Sequence, residues 1–170
     1  LNFIQPESKV QTANIWKTRE LLNKAQKLDG PSIKHDISIP VSVIPNFIKI
    51  AEKKLLPYIH KDNILVFGHL ADGNLHYNIR EDKKNSIKKF EKLRKLINNI
   101  VFEIVHDFHG SFSAEHGIGV FKKNELLKYS NKEEYKLKKN LKKLLDPKGI
   151  MNYGKIFRWE VKMDSYQAPI

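Results

Sequence analysis

The chain of 170 residues reads as an α+β domain, with an antiparallel sheet, helices on one face of it and further helices toward the C-terminal end. Three observations predict this. From residue 35 onward the apolar patterns change in the order strand, helix, strand, strand, helix, strand, which is the ferredoxin-like split arrangement. Asp72-Gly73 stands between two β-rich runs, Ile64-Leu65-Val66-Phe67 and Tyr77-Asn78-Ile79, and is a strong hairpin turn signal. Residues 83 to 109 carry a sustained apolar stripe at helical spacing.

The elements follow in order. Residues 12 to 28 predict a helix with Ile15, Trp16, Leu21, Leu22 and Ala25 on one side, stopped by Gly30-Pro31. His35 to Val41 alternates as a strand. Ser42 is placed to cap a helix over 43 to 57, whose apolar residues Phe47, Ile48, Ile50, Ala51, Leu55 and Leu56 give it a broad buried face. The hairpin comes next, then the long helix, with Ile87, Phe90, Leu93, Ile97, Ile100, Val101, Ile104 and Phe108 as its core stripe. After Gly110, residues 111 to 115 read as a short strand. Ser130 with Glu133 has the form of a capping box for a helix to about 145, packed through Tyr135, Leu137, Leu141, Leu144 and Leu145. Asp146-Pro147-Lys148-Gly149 ends that helix.

Two stretches carry candidate chemistry: Gly68-His69-Leu70-Ala71-Asp72-Gly73-Asn74-Leu75-His76 and Ser113-Ala114-Glu115-His116-Gly117-Ile118-Gly119. Together they hold three histidines and a glutamate, the donors of a metal site beside a general base. With Asp72-Gly73 as a two-residue loop, His69 would pair directly with His76, their side-chain roots roughly 4.5 to 5.5 Å apart. Both imidazoles could then reach one ion. Phe67 and Asn78 share their face. Isolated histidines on strands and helices are usually structural, and His35, His60, His106 and His109 are read that way.

Composition excludes several classes. The chain has no cysteine, so disulfides, thiolate metal sites and cysteine nucleophiles are ruled out. No apolar run has the length of a membrane span and the first residues do not resemble a signal peptide, so a soluble, cytoplasmic protein is expected. The start at Leu1 suggests a processed, trimmed or excised segment. A net charge of +12 raises nucleic-acid binding, but only four of the 31 basic residues are Arg. The lysines are spread along helical faces without interleaved aromatic residues, so solvated helix surfaces are the better account and no nucleic-acid partner is expected.

Five separated motifs resemble one known family. Trp16-Lys17-Thr18-Arg19-Glu20, Lys34-His35-Asp36-Ile37-Ser38-Ile39-Pro40, the histidine hairpin, Ser113 to Gly119, and Leu145-Asp146-Pro147-Lys148-Gly149-Ile150-Met151-Asn152-Tyr153-Gly154-Lys155 occur in the order found in the C-terminal part of the FAD-linked oxidases and dehydrogenases of D-2-hydroxy acids. That family includes D-lactate dehydrogenases, the glycolate oxidase flavin subunit and D-2-hydroxyglutarate dehydrogenase, and some members carry the label actin-interacting protein.

The resemblance implies oxidation of a D-2-hydroxy acid to the 2-oxo acid, with FAD held mainly by a separate domain or subunit. It implies His69, His76 and Glu115 as ligands of a divalent metal, zinc or manganese, and His116 as the base. Arg19, Lys34 and Asn78 are implied as substrate contacts. The Asp72-Gly73-Asn74 turn and Asn152 are implied to approach the flavin. Two departures stand out: Ala71 occupies a position where the family has glycine, and Tyr153 one where it has proline. Nothing here resembles the FAD-binding domain, so the isolated chain is expected to be inactive, and an unpaired sheet edge favours a homodimer. The non-enzymatic alternatives are a metal- or carboxylate-binding module and a protein-interaction module.

Overall fold

The alternation of Leu75, Tyr77 and Ile79 with Asn74, His76, Asn78 and Arg80 gives one strand an apolar and a polar face, and that strand organises the molecule. The computed structural model describes residues 4–81 and 87–157. Its elements are α1 (Lys9–Asp29), β1 (Ser32–Ile33), β2 (Asp36–Ser38), α2 (Ile44–Leu55), β3 (Ile64–His69), β4 (Asn74–Arg80), α3 (Ile87–Asp107), α4 (Lys123–Tyr129) and α5 (Lys132–Leu145). β4 is the central strand. β3 pairs along its whole length on one side, while β1 and β2 divide the other side between them, all antiparallel. Beyond β2, the expected fourth strand is reduced to one antiparallel bridge between Ser38 and Ser111. The resulting order is that of the ferredoxin-like split fold, as expected for an α+β chain.

The apolar face of β4 is covered by α2 and α3. Tyr77 and Ile79 are fully buried, with Phe47, Ala51 and Leu55 from α2 and Ile97, Val101 and Ile104 from α3 in the same core. Phe47 meets Tyr77 edge-on, ring centroids 5.6 Å apart, the favoured aromatic geometry. Ile87, placed in the α3 stripe by its spacing, has a side chain outside the described residues, as do positions 83 to 86 of the expected helix.

Several expectations need correction. The hairpin loop has four residues, not two. Leu70–Asp72 forms a 3-10 turn and Gly73 follows at φ 69°. The Asp72 carboxylate accepts the Asn74 N–H at 3.1 Å, so the turn closes one residue pair earlier than a two-residue loop would. His69 therefore faces Asn74, and His76 faces Phe67. A shift of two residues preserves the face. The two histidines remain on the same side, but diagonally.

Ser42 is not a cap. It lies in the 3-10 turn Val41–Val43, and α2 starts at Ile44 with a proline in its first turn, where a missing N–H costs nothing. α5 is capped by Asn131, whose side chain accepts from Glu133 N and Glu134 N, rather than by Ser130. Leu137, Leu141, Leu144 and Leu145 are exposed rather than core. Tyr135 alone of that group finds an aromatic partner, Phe157. The apolar side of α1 is likewise exposed at Ile15, Trp16, Leu21 and Leu22. Its contacts to the sheet are instead polar or aromatic: Gln26 with Asn78, Asp29 with Arg80, and the Arg19 guanidinium over the Phe67 ring.

Candidate metal and substrate site

The polar face of the sheet collects the site. Register puts Asp36 of β2 opposite His76 of β4, and His76 opposite Phe67 of β3. His69 lies at the end of β3. Glu115 and His116 come from the irregular segment after α3, and this segment is held by a carboxylate. Asp36, 4% exposed, accepts from the Glu115 N–H at 2.8 Å, the His116 N–H at 2.7 Å and the Asn74 side-chain amide at 2.9 Å. Its carbonyl accepts from Ala114 N. A side chain thus takes over where a β ladder would have continued, which explains why residues 111 to 115 pair only at Ser111.

These contacts also set the electrostatics. Burial alone would raise the Asp36 pKa, but the hydrogen bonds from His116, Glu115 and Asn74 outweigh it and hold the carboxyl below its ordinary value. His76 is pushed down, chiefly by burial, against the opposing pull of Glu115 and Asp36. Burial thus favours the neutral ring, the form that a metal requires.

His69 Nδ1 lies 3.3 Å from Glu115 Oε1, and His76 Nε2 lies 3.9 Å from Glu115 Oε2. The other nitrogen of His76 faces Asp36 at 3.9 Å. Asp36, His76 and Glu115 each offer a ligand atom within 4.8 Å of the others. The nitrogen and oxygen donors fit a divalent cation such as zinc. Asp36 already carries three hydrogen bonds, so its chemistry suits an organiser behind His76 and beneath Glu115 better than a primary ligand.

His116 stands at the edge of this cluster with its side chain 71% exposed and Nδ1 3.6 Å from Asp36 Oδ2. Beside it opens a cavity of about 560 Å³, bounded by Lys34, Asp36, His76, Asn78, His116 and Lys122. The Arg19 Nε and the Asn78 Oδ1 are buried atoms with no hydrogen-bond partner, the first beside Phe67 and the second at this cavity. A second groove, of about 620 Å³ and lined by Leu22, Ala25, Leu28, Leu65 and Phe67, is mostly apolar and brings no histidines together.

A family described as FAD linked oxidases, C-terminal domain, matches residues 2–156. The chain belongs to this family. This FAD-linked oxidase domain is 36% identical over 157 residues to D-2-hydroxyglutarate dehydrogenase of Stutzerimonas stutzeri, covering 92% of this chain and 34% of that protein. It is 39% identical over 146 residues to mitochondrial D-2-hydroxyglutarate dehydrogenase of Arabidopsis thaliana, covering 86% of this chain and 25% of that protein. A third relative, mitochondrial D-2-hydroxyglutarate dehydrogenase of Danio rerio, is 36% identical over 138 residues, or 81% of this chain and 25% of its own. The chain thus spans about a third or less of the length of these relatives. No helix among the described residues is long and apolar enough to cross a membrane.

Within the FAD-linked oxidase domain, His69, His76, Glu115 and His116 come together, with Lys34 and Asn78 on the adjoining cavity. In the hairpin turn, Asp72 is exposed, while Gly73 is packed against Ile39 and Asn74 spends its amide on Asp36. Asn152 lies in a turn of the C-terminal segment at φ 51°. That segment returns to the histidine loop through Ile156 N–H to Gly119 O at 2.9 Å. Asp36 is the residue of this cluster to which motif reading gives no role. A carboxylate inside a strand, where such residues are depleted, was its signal.

The four structural histidines fall into place. His35 is buried and bonded to Tyr77 O and Asn98, His60 accepts from Asp62 N, and His106 packs at a tilt against Tyr129. His109 lies in the turn after α3, at positive φ.

Proposed function

We propose that this domain is the substrate- and metal-binding part of an FAD-dependent D-2-hydroxy-acid dehydrogenase, with D-2-hydroxyglutarate as the preferred substrate. The approach of His69 and His76 to Glu115, beside a cavity lined by His76, His116 and Lys34, carries the reading. When bound, a divalent ion on His69, His76 and Glu115 would stabilise negative charge on the substrate hydroxyl oxygen, and the flavin would accept the hydride. Everything else falls to side chains of the chain itself. With Nδ1 of His116 turned to Asp36, Nε2 is the nitrogen that takes the hydroxyl proton. The Asp36 charge then stabilises the imidazolium that forms. Arg19 and Lys34 supply two cations, which suits a substrate with two carboxylates better than lactate or glycolate. Asn78 offers its unpartnered oxygen to a donor on the substrate.

The flavin-bearing part is a domain or subunit docked on this one, with the exposed Asp72 and Asn152 facing it and the buried Gly73 and Asn74 shaping the turn. Two measurements test the proposal. Elemental mass spectrometry of the purified chain should find near-stoichiometric zinc or manganese, lost in a His69→Ala, His76→Ala double variant. Combined with its flavin-bearing part, the protein should reduce a dye acceptor with D-2-hydroxyglutarate, and His116→Ala should lower kcat by about 100-fold or more. A wild-type protein that stays metal-free in added zinc and manganese, or a reconstituted protein that oxidises no 2-hydroxy acid, defeats the reading.

A further inference from the structure

The segment that carries Glu115 and His116 has no helix or strand of its own between the Ser111 bridge and α4. Two charged groups hold it. Asp36 grips it from the sheet, through the amides of Glu115 and His116. From the opposite end, Lys122 Nζ donates to Phe112 O at 3.0 Å and to Ser113 Oγ at 3.2 Å. The Ser113 hydroxyl in turn donates to His116 O. Lys122 N–H bonds Ile118 O, closing the Gly117 to Lys122 stretch so that the side chain folds back over the loop.

We propose that Lys122 is a positioning residue, whose ammonium clamps the loop from Phe112 to His116 so that Glu115 and His116 stand over the histidine face of the sheet. The inference rests on the roles proposed above for Glu115 and His116. A half-buried ammonium, partly cut off from water, gains from acceptors for its protons. Here the acceptors belong to the functional loop itself. Burial lowers the Lys122 pKa, and the nearby Asp36 and Glu125 carboxylates oppose this. Lys122 and Asp36 also bound one cavity, the space the substrate would enter. Losing such an outer partner commonly weakens metal binding by about 10- to 100-fold.

The test compares the whole chain with its Lys122→Met and Lys122→Arg forms by amide hydrogen exchange and Zn²⁺ titration. In Lys122→Met the amides of Ala114, Glu115 and His116 should exchange about ten-fold faster or more, while those of β4 keep their wild-type rates. The Zn²⁺ Kd should rise by about ten-fold, and Lys122→Arg should recover part of both. Unchanged exchange at Glu115 and His116 overturns the proposal. So does a uniform acceleration across β4, which would make Lys122 a general stability residue. If Lys122→Met fails to fold, Lys122→Gln takes its place, and failure of both counts as the same overturning result. A wild-type chain that binds no Zn²⁺ would sink the metal reading, and the exchange comparison alone would then decide the role of Lys122.

Discussion

Asp36 concentrates more of the site's geometry than any histidine does. Three donors converge on its carboxylate, two of them the backbone of the loop that carries Glu115 and His116. Asp36→Ala leaves those donors without a partner inside the protein and should cost on the order of 3 kcal/mol in urea unfolding. It should also weaken Zn²⁺ binding, by an amount that Asp36→Asn partly restores. His35 predicts a pH dependence. Burial lowers its pKa to about 4, against the opposing bonds to Tyr77 O and Asn98. In the unfolded chain the ring titrates near 6.5. Between those values the unfolded state binds more protons, so stability falls as pH is lowered through this window, by about 3 kcal/mol in total. Nδ1 lies 2.7 Å from Tyr77 O and Nε2 3.0 Å from the Asn98 side-chain oxygen, so both neighbours favour a ring that donates, while burial favours the neutral form. Urea midpoints measured from pH 4 to 7 should show the slope, and His35→Gln should flatten it.

The hairpin shows what an element's sequence conveys and what it hides. Alternation in β4 and the Asp72-Gly73 signal were enough to find the two strands and to put His69 and His76 on one face. The register was not legible, because the Asp72 side chain competes for the Asn74 amide and lengthens the loop. Glycine usage follows from the same turn. A Cβ on Gly73 would lie 2.1 Å from Ile39 O, and its φ of 69° disfavours any side chain. Gly73→Ala should therefore destabilise by about 3 kcal/mol. Ala71, by contrast, lies in the 3-10 turn and not among the positive-φ residues. Ala71→Gly should stabilise nothing and cost up to about 1 kcal/mol, measured on the same unfolding curves. The strand expected over 111 to 115 does not form for a related reason. Past the Ser111 bridge, the Ala114 N–H goes to the Asp36 carbonyl, and those of Glu115 and His116 to its carboxylate, contacts about eighty residues distant in sequence that no local pattern encodes. α4 was missed because its seven residues give too little periodicity to read.

At the scale of the whole molecule, two helices keep their apolar sides in solvent. Trp16 of α1 and Leu144 and Leu145 of α5 are exposed, as is Phe121 between the histidine loop and α4. Spacing predicts packing for Trp16, Leu144 and Leu145, and their exposure is that of a surface left uncovered by the described residues. β3 adds an edge, pairing only with β4 among the described residues. The isolated chain should self-associate as its concentration rises, with a sedimentation coefficient that falls on dilution. A monomer at every concentration would count against that expectation. β4 has a further consequence, for selection. Its odd positions Leu75, Tyr77 and Ile79 serve the core, and its even positions Asn74, His76 and Asn78 serve the site. A saturation library of this strand should therefore show an every-other-residue beat in fitness. A stabilising suppressor elsewhere in the chain should rescue damage at the odd positions and leave damage at the even ones untouched.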